Sequence, residues 1–221
     1  TMPNFPQYRN RDETIGSIEG RVNGCMERSM NGKALPEDGK EMRAIVTYMH
    51  WLSQGIPVGA KVSGAEFPQV DRKMIMSRAA DPIAGKKVYV EHCASCHGQN
   101  GEGVKREGKA NGYEYPALWG KDTYNTGAGM FRVIRAADWI VANMPLWADN
   151  HNRILTDAQA YDVAAYINDY DKPRPVKKDR HLDFPDAKVK VPDSDIAPYN
   201  DDKNRHQHKF GPYKGIIIPA K

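Results

Sequence analysis

The residues best equipped for chemistry are Cys93, Cys96 and His97, in the run Glu91-His92-Cys93-Ala94-Ser95-Cys96-His97. Two thiols three positions apart can reach the two vinyl groups of one porphyrin, and the next residue puts an imidazole under its iron. The C-x-x-C-H run therefore reads as the attachment site of haem c. A zinc half-site would need a second ligand pair, and no other C-x-x-C or H-x-x-H is present. A redox dithiol would need βαβ patterning, which is absent. Beyond His97 the chain has two methionines, Met130 and Met144. Met130 falls inside a helical pattern and reads as core. Met144 stands at a helix end before Pro145, where the backbone can turn a thioether toward the iron. A soft sulfur opposite histidine raises the haem potential and suits electron transfer, so Met144 is the expected distal ligand. The third cysteine, Cys25, has no partner in that motif. It reads either as a small buried apolar residue or as a leftover thiol in an exported protein.

The elements that position these groups are expected to be all-α. The 221 residues allow one large domain or two small ones, with 40% hydrophobic residues and a formal charge of +4. Two haem propionates would bring the holoprotein nearer neutral, so the charge gives no reason to expect nucleic acid as a partner. No apolar run approaches the roughly 18 residues of a membrane span, so no transmembrane segment is expected. Covalent haem is attached outside the cytoplasm, which points to the periplasm, with the signal removed or outside this sequence.

Helical spacing of Ile15, Ile18 and Val22 predicts a helix over 13–22, ended by Asn23-Gly24 just before Cys25. A second helix is expected over 38–54, carrying Met42, Ile45, Val46, Met49 and Leu52. Residues 56–78 read as a linker. Asp81-Pro82 opens a helix that runs into the haem motif. Glycine inside it, at Gly85, costs about 1 kcal/mol against alanine, so it should have a packing reason. Gly85 and Tyr89 stand four apart, as in the first helix of a class I cytochrome c, where they let the last helix cross closely. By the same resemblance Pro116 offers its carbonyl to the proximal histidine, fixing its tautomer. Residues 127–143 read as a helix, and Thr156-Asp157-Ala158-Gln159 as a capping box opening the last one. The tail, 171–221, is rich in Pro, Asp, Lys and His and reads as extended. His206 and His208 form a weak metal pair, read as solvated, and Gly215–Pro219 as an apolar patch packed on the domain or a partner.

A half-repeat is also visible. Val22-Asn23-Gly24-Cys25 aligns with Val141-Ala142-Asn143-Met144. Leu35 aligns with Leu155, Ile45 with Val163, Tyr48 with Tyr166, and Phe5-Pro6 with Tyr115-Pro116. Residues 1–55 thus look like the second half of another cytochrome c domain, ahead of a complete one at 79–170. Cys25 takes the place of Met144 and becomes a candidate iron ligand for a second haem. A thiolate there would lower that haem's potential.

This layout resembles the dihaem cytochromes c of the thiosulfate dehydrogenase family. The stretches that carry it are Phe5–Arg11, Asn23–Lys33, the haem motif and Asn143–Leu146. The resemblance implies a first, catalytic haem with histidine and cysteine ligands, and a second that passes electrons to a partner cytochrome. It implies oxidation of thiosulfate to tetrathionate, or the reverse. Cys25 would be the catalytic ligand, with Arg11 and Ser29 at the substrate site beside Arg9 and Arg28. Arginine suits sulfonate oxygens, because it stays charged and donates in a fork. The equally simple reading is that these arginines are solvated or pair with Asp12, Glu13 or Glu27. The family's first C-x-x-C-H precedes the stretch that matches Thr1. The sequence leaves open whether that half lies upstream, comes from a second subunit, or is lost. In the last case the chain is a monohaem electron carrier, or a cytochrome subunit of a larger complex.

Overall fold

The computed structural model describes residues 2–60, 68–108 and 112–216. A hairpin of β1 (Gln7–Arg9) and β2 (Thr14–Gly16) leads into α1 (Ile18–Arg28) and α2 (Lys40–Leu52). Then come α3 (Arg72–Ser77), α4 (Pro82–His92), the one-turn α5 (Ala94–His97), and a hairpin of β3 (Val104–Lys105) and β4 (Tyr113–Tyr115). Helices α6 (Val133–Asn143), α7 (Asp157–Ile167) and α8 (Arg205–Phe210) complete the order. None of the described helices is long and apolar enough to cross a membrane.

The core sits where α4, α6 and α7 meet. Asp81 caps α4 by accepting from Ile83 N at 2.8 Å and Ala84 N at 3.2 Å, with Pro82 in the first turn. Helix α7 begins with the expected capping box, Thr156 and Gln159 each satisfying the other's backbone N–H. A Cβ on Gly85 would run into the Asp162 carbonyl and the Tyr166 side chain, so the α4–α7 crossing requires glycine there. Val133, Ala137 and Val141 of α6 meet Ala160, Val163 and Ala164 of α7, all fully buried. These faces follow helical spacing, which is why the sequence pattern finds them.

The first module departs from expectation. The helix expected from Glu13 starts only at Ser17, whose Oγ accepts from Gly20 N at 3.0 Å. Thr14–Gly16 is a strand, with Ile15 opposite Tyr8. The helix does not stop at Asn23-Gly24 but continues to Arg28, so Cys25 lies within its last turns. The physical reason is what the two supposed stop residues do. Asn23 bonds Leu35 through both ends of its amide, at 2.8 and 3.0 Å, and so ties down the returning loop. Gly24 leaves room for the Arg28 guanidinium, which lies where a Cβ would be. Helix α2 falls inside its expected span, but Met42 is its one fully buried residue.

Two further corrections concern residues read as irregular. Part of the supposed linker is α3, capped by Asp71, and Val70 and Ile75 on either side of that cap are fully buried. Residues 61–67 of that linker lie outside the described residues. The tail is not simply extended. Phe210 and Tyr213 enter the core, Phe210 O accepts from Ala80 N at 2.8 Å, and Tyr213 N donates to Ile75 O at 3.0 Å. Asp193 accepts from Ile134 N at 3.0 Å, capping α6 from outside its own sequence. His208 is buried rather than solvated, with Nδ1 on Pro192 O at 3.0 Å and Nε2 on Asp201 at 3.1 Å. No group of metal-ligating residues is found among the described residues. Gly215 and Ile216 are described, and Ile216 is buried; Ile217, Ile218 and Pro219 lie outside the described residues.

Candidate functional site

The Cys93–His97 turn is held by its own backbone. Cys96 N and His97 N both donate to Cys93 O, at 3.2 and 2.9 Å, while Gly98 N closes the turn on Ala94 O at 3.0 Å. Gly98 leaves the helix at φ 81°, a left-handed conformation that glycine takes without strain. Burial, with Cys96 close by, pushes the Cys93 thiol up to about 11. Reactive dithiols and zinc ligands need the opposite, a thiolate at neutral pH. His97 is buried, and its Nδ1 lies 2.8 Å from Pro116 O. A carbonyl only accepts, so Nδ1 carries the proton and Nε2 keeps its lone pair for a metal. Gly103 permits this, because a Cβ there would meet Tyr115 O and the Pro116 backbone. Met144 forms the C-cap of α6 in extended conformation and is half-buried against the core. Met130 is also half-buried, and its carbonyl accepts from Asn168 Nδ2 at 3.0 Å.

This donor set suits haem c. Two thiols lie one turn apart, an imidazole is fixed in the iron-binding tautomer, and two soft thioethers lie on the core side of the domain. Cys93 and Cys96 would hold the porphyrin and His97 the iron.

The second centre of interest is Cys25. Arg21 Nη1 donates to its Sγ at 2.9 Å. Arg21, Cys25 and Ser29 recur every four residues and share one face of α1, Ser29 being its exposed C-cap. Sequence reasoning missed Arg21, although its position four residues before Cys25 was readable. Arg11 is directed elsewhere. Its Nη1 bonds Asp183 Oδ2 at 2.6 Å, its guanidinium lies 5.0 Å from the Phe184 ring centroid, and its carbonyl accepts from Phe184 N at 2.6 Å. Burial lowers the Arg11 pKa and Asp183 opposes that. Arg9 lies along Gly16 and approaches Asp12 at 3.8 Å. Arg28 lies back over Gly24. Of the residues expected at a substrate site, the structure therefore aligns Ser29 with Cys25 and commits Arg11 to the tail.

Comparison with known proteins finds similarity to two stretches of the chain. Residues 83–171 match the family profile described as cytochrome c, and residues 1–58 that described as SoxA/TsdA, cytochrome c domain. A thiosulfate dehydrogenase of Stutzerimonas stutzeri is 40% identical over 172 residues, 78% of this chain and 53% of that protein. One from Allochromatium vinosum is 40% identical over 170 residues, 76% of this chain and 59% of that protein. The solved thiosulfate dehydrogenase (TsdBA) of Marichromatium purpuratum superposes with a TM-score of 0.65 at 38% identity, covering 76% of this chain and 35% of that one. The chain thus spans little more than half the length of the curated relatives it matches.

Proposed function

We propose that this c-type cytochrome, a relative of the thiosulfate dehydrogenases, carries electrons in the periplasm during the interconversion of thiosulfate and tetrathionate. The observation that carries the reading is the Arg21–Cys25 pair at 2.9 Å, on the helix that repeats the Met144 helix. Joining two thiosulfate dianions into one tetrathionate dianion forms one S–S bond and releases two electrons. The chain's own residues have three tasks in this. Arg21 places a positively charged donor on Cys25 Sγ at 2.9 Å and so orients the sulfur. Ser29, on the same face, offers a hydroxyl to sulfonate oxygens. Arg11, with Arg28 near it, keeps positive charge at the module boundary. Its bond to Asp183 makes it a charge at a distance rather than a free anion clamp in this conformation.

His97, Met144, Cys93 and Cys96 would hold the haem of the second module, which would supply one-electron storage there. A second haem is expected over Cys25, held by a half-module from another stretch of the natural protein or from a second subunit. A partner cytochrome takes the electrons onward.

The test is to mix the oxidised natural holoprotein with thiosulfate. Haem reduction and one tetrathionate per two electrons are expected. Cys25→Ala is expected to lose turnover by at least about a hundredfold, the scale of a lost active-site group, while dithionite still reduces the second-module haem. Full turnover in Cys25→Ala, or no reduction of the wild type by thiosulfate, would overturn the assignment.

A further inference from the structure

An α-helix leaves its last four carbonyls without partners in the helix. In α1 the last helical bond falls on Cys25 O, and Met26, Glu27 and Arg28 lie beyond it. Cys25 O accepts from Ser29 N and Met30 N, at 3.0 and 3.1 Å, and Met26 O accepts from Gly32 N at 2.8 Å. The other two are met from the second module, and by a single residue. Asn125 Nδ2 donates to Glu27 O at 2.7 Å and Asn125 N donates to Arg28 O at 3.2 Å. The same Nδ2 also donates to Asn31 Oδ1 at 3.1 Å. Asn125 is itself buried, at 5% exposure, and its Oδ1 accepts from Gly127 N at 3.0 Å. Its carbonyl accepts from Ala128 N at 3.0 Å, which makes 125–128 a closed turn just before Met130 and α6. The fit is close: a Cβ on Gly127 would meet both Arg28 and Lys177.

We propose that Asn125 is a positioning residue that docks the Cys25 helix onto the haem-bearing domain and thereby sets the electron path between them. The electron-path part rests on the functional reading above; the docking part stands on the hydrogen bonds alone. Every polar atom of the side chain is divided between two tasks. The Oδ1 shapes the module's own turn, and the Nδ2 reaches across to α1. The Arg11–Asp183 bond joins the modules at a second place, on the β1–β2 side, and the Asn125 N–Arg28 O bond does not need the side chain. Loss of the Asn125 amide therefore loosens the end of α1 at Glu27 O and Asn31 without releasing the whole first module.

Asn125→Asp separates the two tasks. It keeps an acceptor for Gly127 N and removes the donor to Glu27 O and Asn31. Hydrogen exchange of the natural holoprotein would be followed in peptides covering 26–32 and 82–92, beside stopped-flow reduction of the Cys93/Cys96 haem by thiosulfate. For Asn125→Asp and Asn125→Ala, exchange in 26–32 is expected to rise by about tenfold, the scale of one lost buried hydrogen-bond donor. Exchange in α4 and the haem midpoint potential are expected to stay unchanged, while reduction by thiosulfate slows. Unchanged exchange in 26–32, or an equal rise in α4, would overturn the docking role. Unchanged reduction with raised exchange would overturn the electron-path role. A wild type that thiosulfate does not reduce refutes the functional reading, and the exchange result then still decides the docking role.

Discussion

The pair α1–α2 and the pair α6–α7 repeat one pattern, yet they sit in different surroundings. In register, Met42, Ile45, Tyr48 and Met49 of α2 correspond to Ala160, Val163, Tyr166 and Ile167 of α7. Of the α7 set, Tyr166 lies against α4, packing 5.3 Å from Tyr89 and 5.8 Å from Trp119 between ring centroids. In the α2 set Met42 is fully buried and Ile45 and Met49 are half-buried, but Tyr48 has no such ring cover among the described residues. Tyr48 is 58% exposed and stacks on Trp51, which is 60% exposed. Apolar residues at helical spacing therefore specify which face is to be covered, but not what covers it. In the second module the covering helix is α4, which carries the haem motif at its end. The exposed Tyr48–Trp51 side of α2 is the counterpart of the Tyr166 face that α4 covers.

The expected effects of breaking this comparison run from large to small. Tyr166→Ala removes a ring from the three-aromatic cluster and is expected to cost about 3 kcal/mol in thermal or denaturant unfolding of the holoprotein. The next effect concerns the tail, which buries Lys209 in the second module. Lys209 Nζ donates to Phe131 O at 3.1 Å, and burial pushes its pKa down to about 7 against the pull of Asp195. Asp193 acts with Asp195, while Arg180 and Arg174 oppose them. The unfolded chain keeps this proton up to the ordinary lysine range, so between pH 7 and 10 it binds more protons than the folded chain. Stability should therefore rise with pH across that window, by at most about 1.4 kcal/mol per unit from this one group. Below the folded value the cost is fully present and the slope vanishes. Lys209→Met should flatten the profile, and an unchanged slope would show that other groups set it. The smallest effect is expected for Tyr48→Ala, under about 0.5 kcal/mol, as for most exposed sites. A loss as large as that of Tyr166→Ala would mean that α2 is already covered in the natural protein, and would sharpen the case for a completing half.

The parts legible in the sequence are those with local causes. Asp81-Pro82, the Thr156–Gln159 box and the Cys93–His97 turn all act within one or two helical turns, and each behaves as its residue types require, while Gly85–Tyr89 serves the distant α7 crossing and was readable through family likeness. The Pro116–His97 bond spans a loop, and it was readable through family likeness rather than periodicity. What escaped has distant causes. Gly24 and Asn23 resemble stop signals, because nothing nearby tells that Arg28 fills the one space and Leu35 takes the other's bonds. Helix α3 and the burial of Phe210 and Tyr213 depend on each other across more than 130 residues, as the Tyr213–Ile75 bond shows. Arg11 resembles a free anion ligand until Asp183, far along the chain, is seen to hold it.

The most direct test of the equivalence between Cys25 and Met144 is the haem content of the natural polypeptide or complex, counted by intact mass and pyridine haemochrome, with alkylation of Cys25 in the native state. Two haems per assembly, with Cys25 protected until unfolding, is the expected result. A single haem, with Cys25 alkylated in the native protein, would contradict it and leave the first module without a redox role.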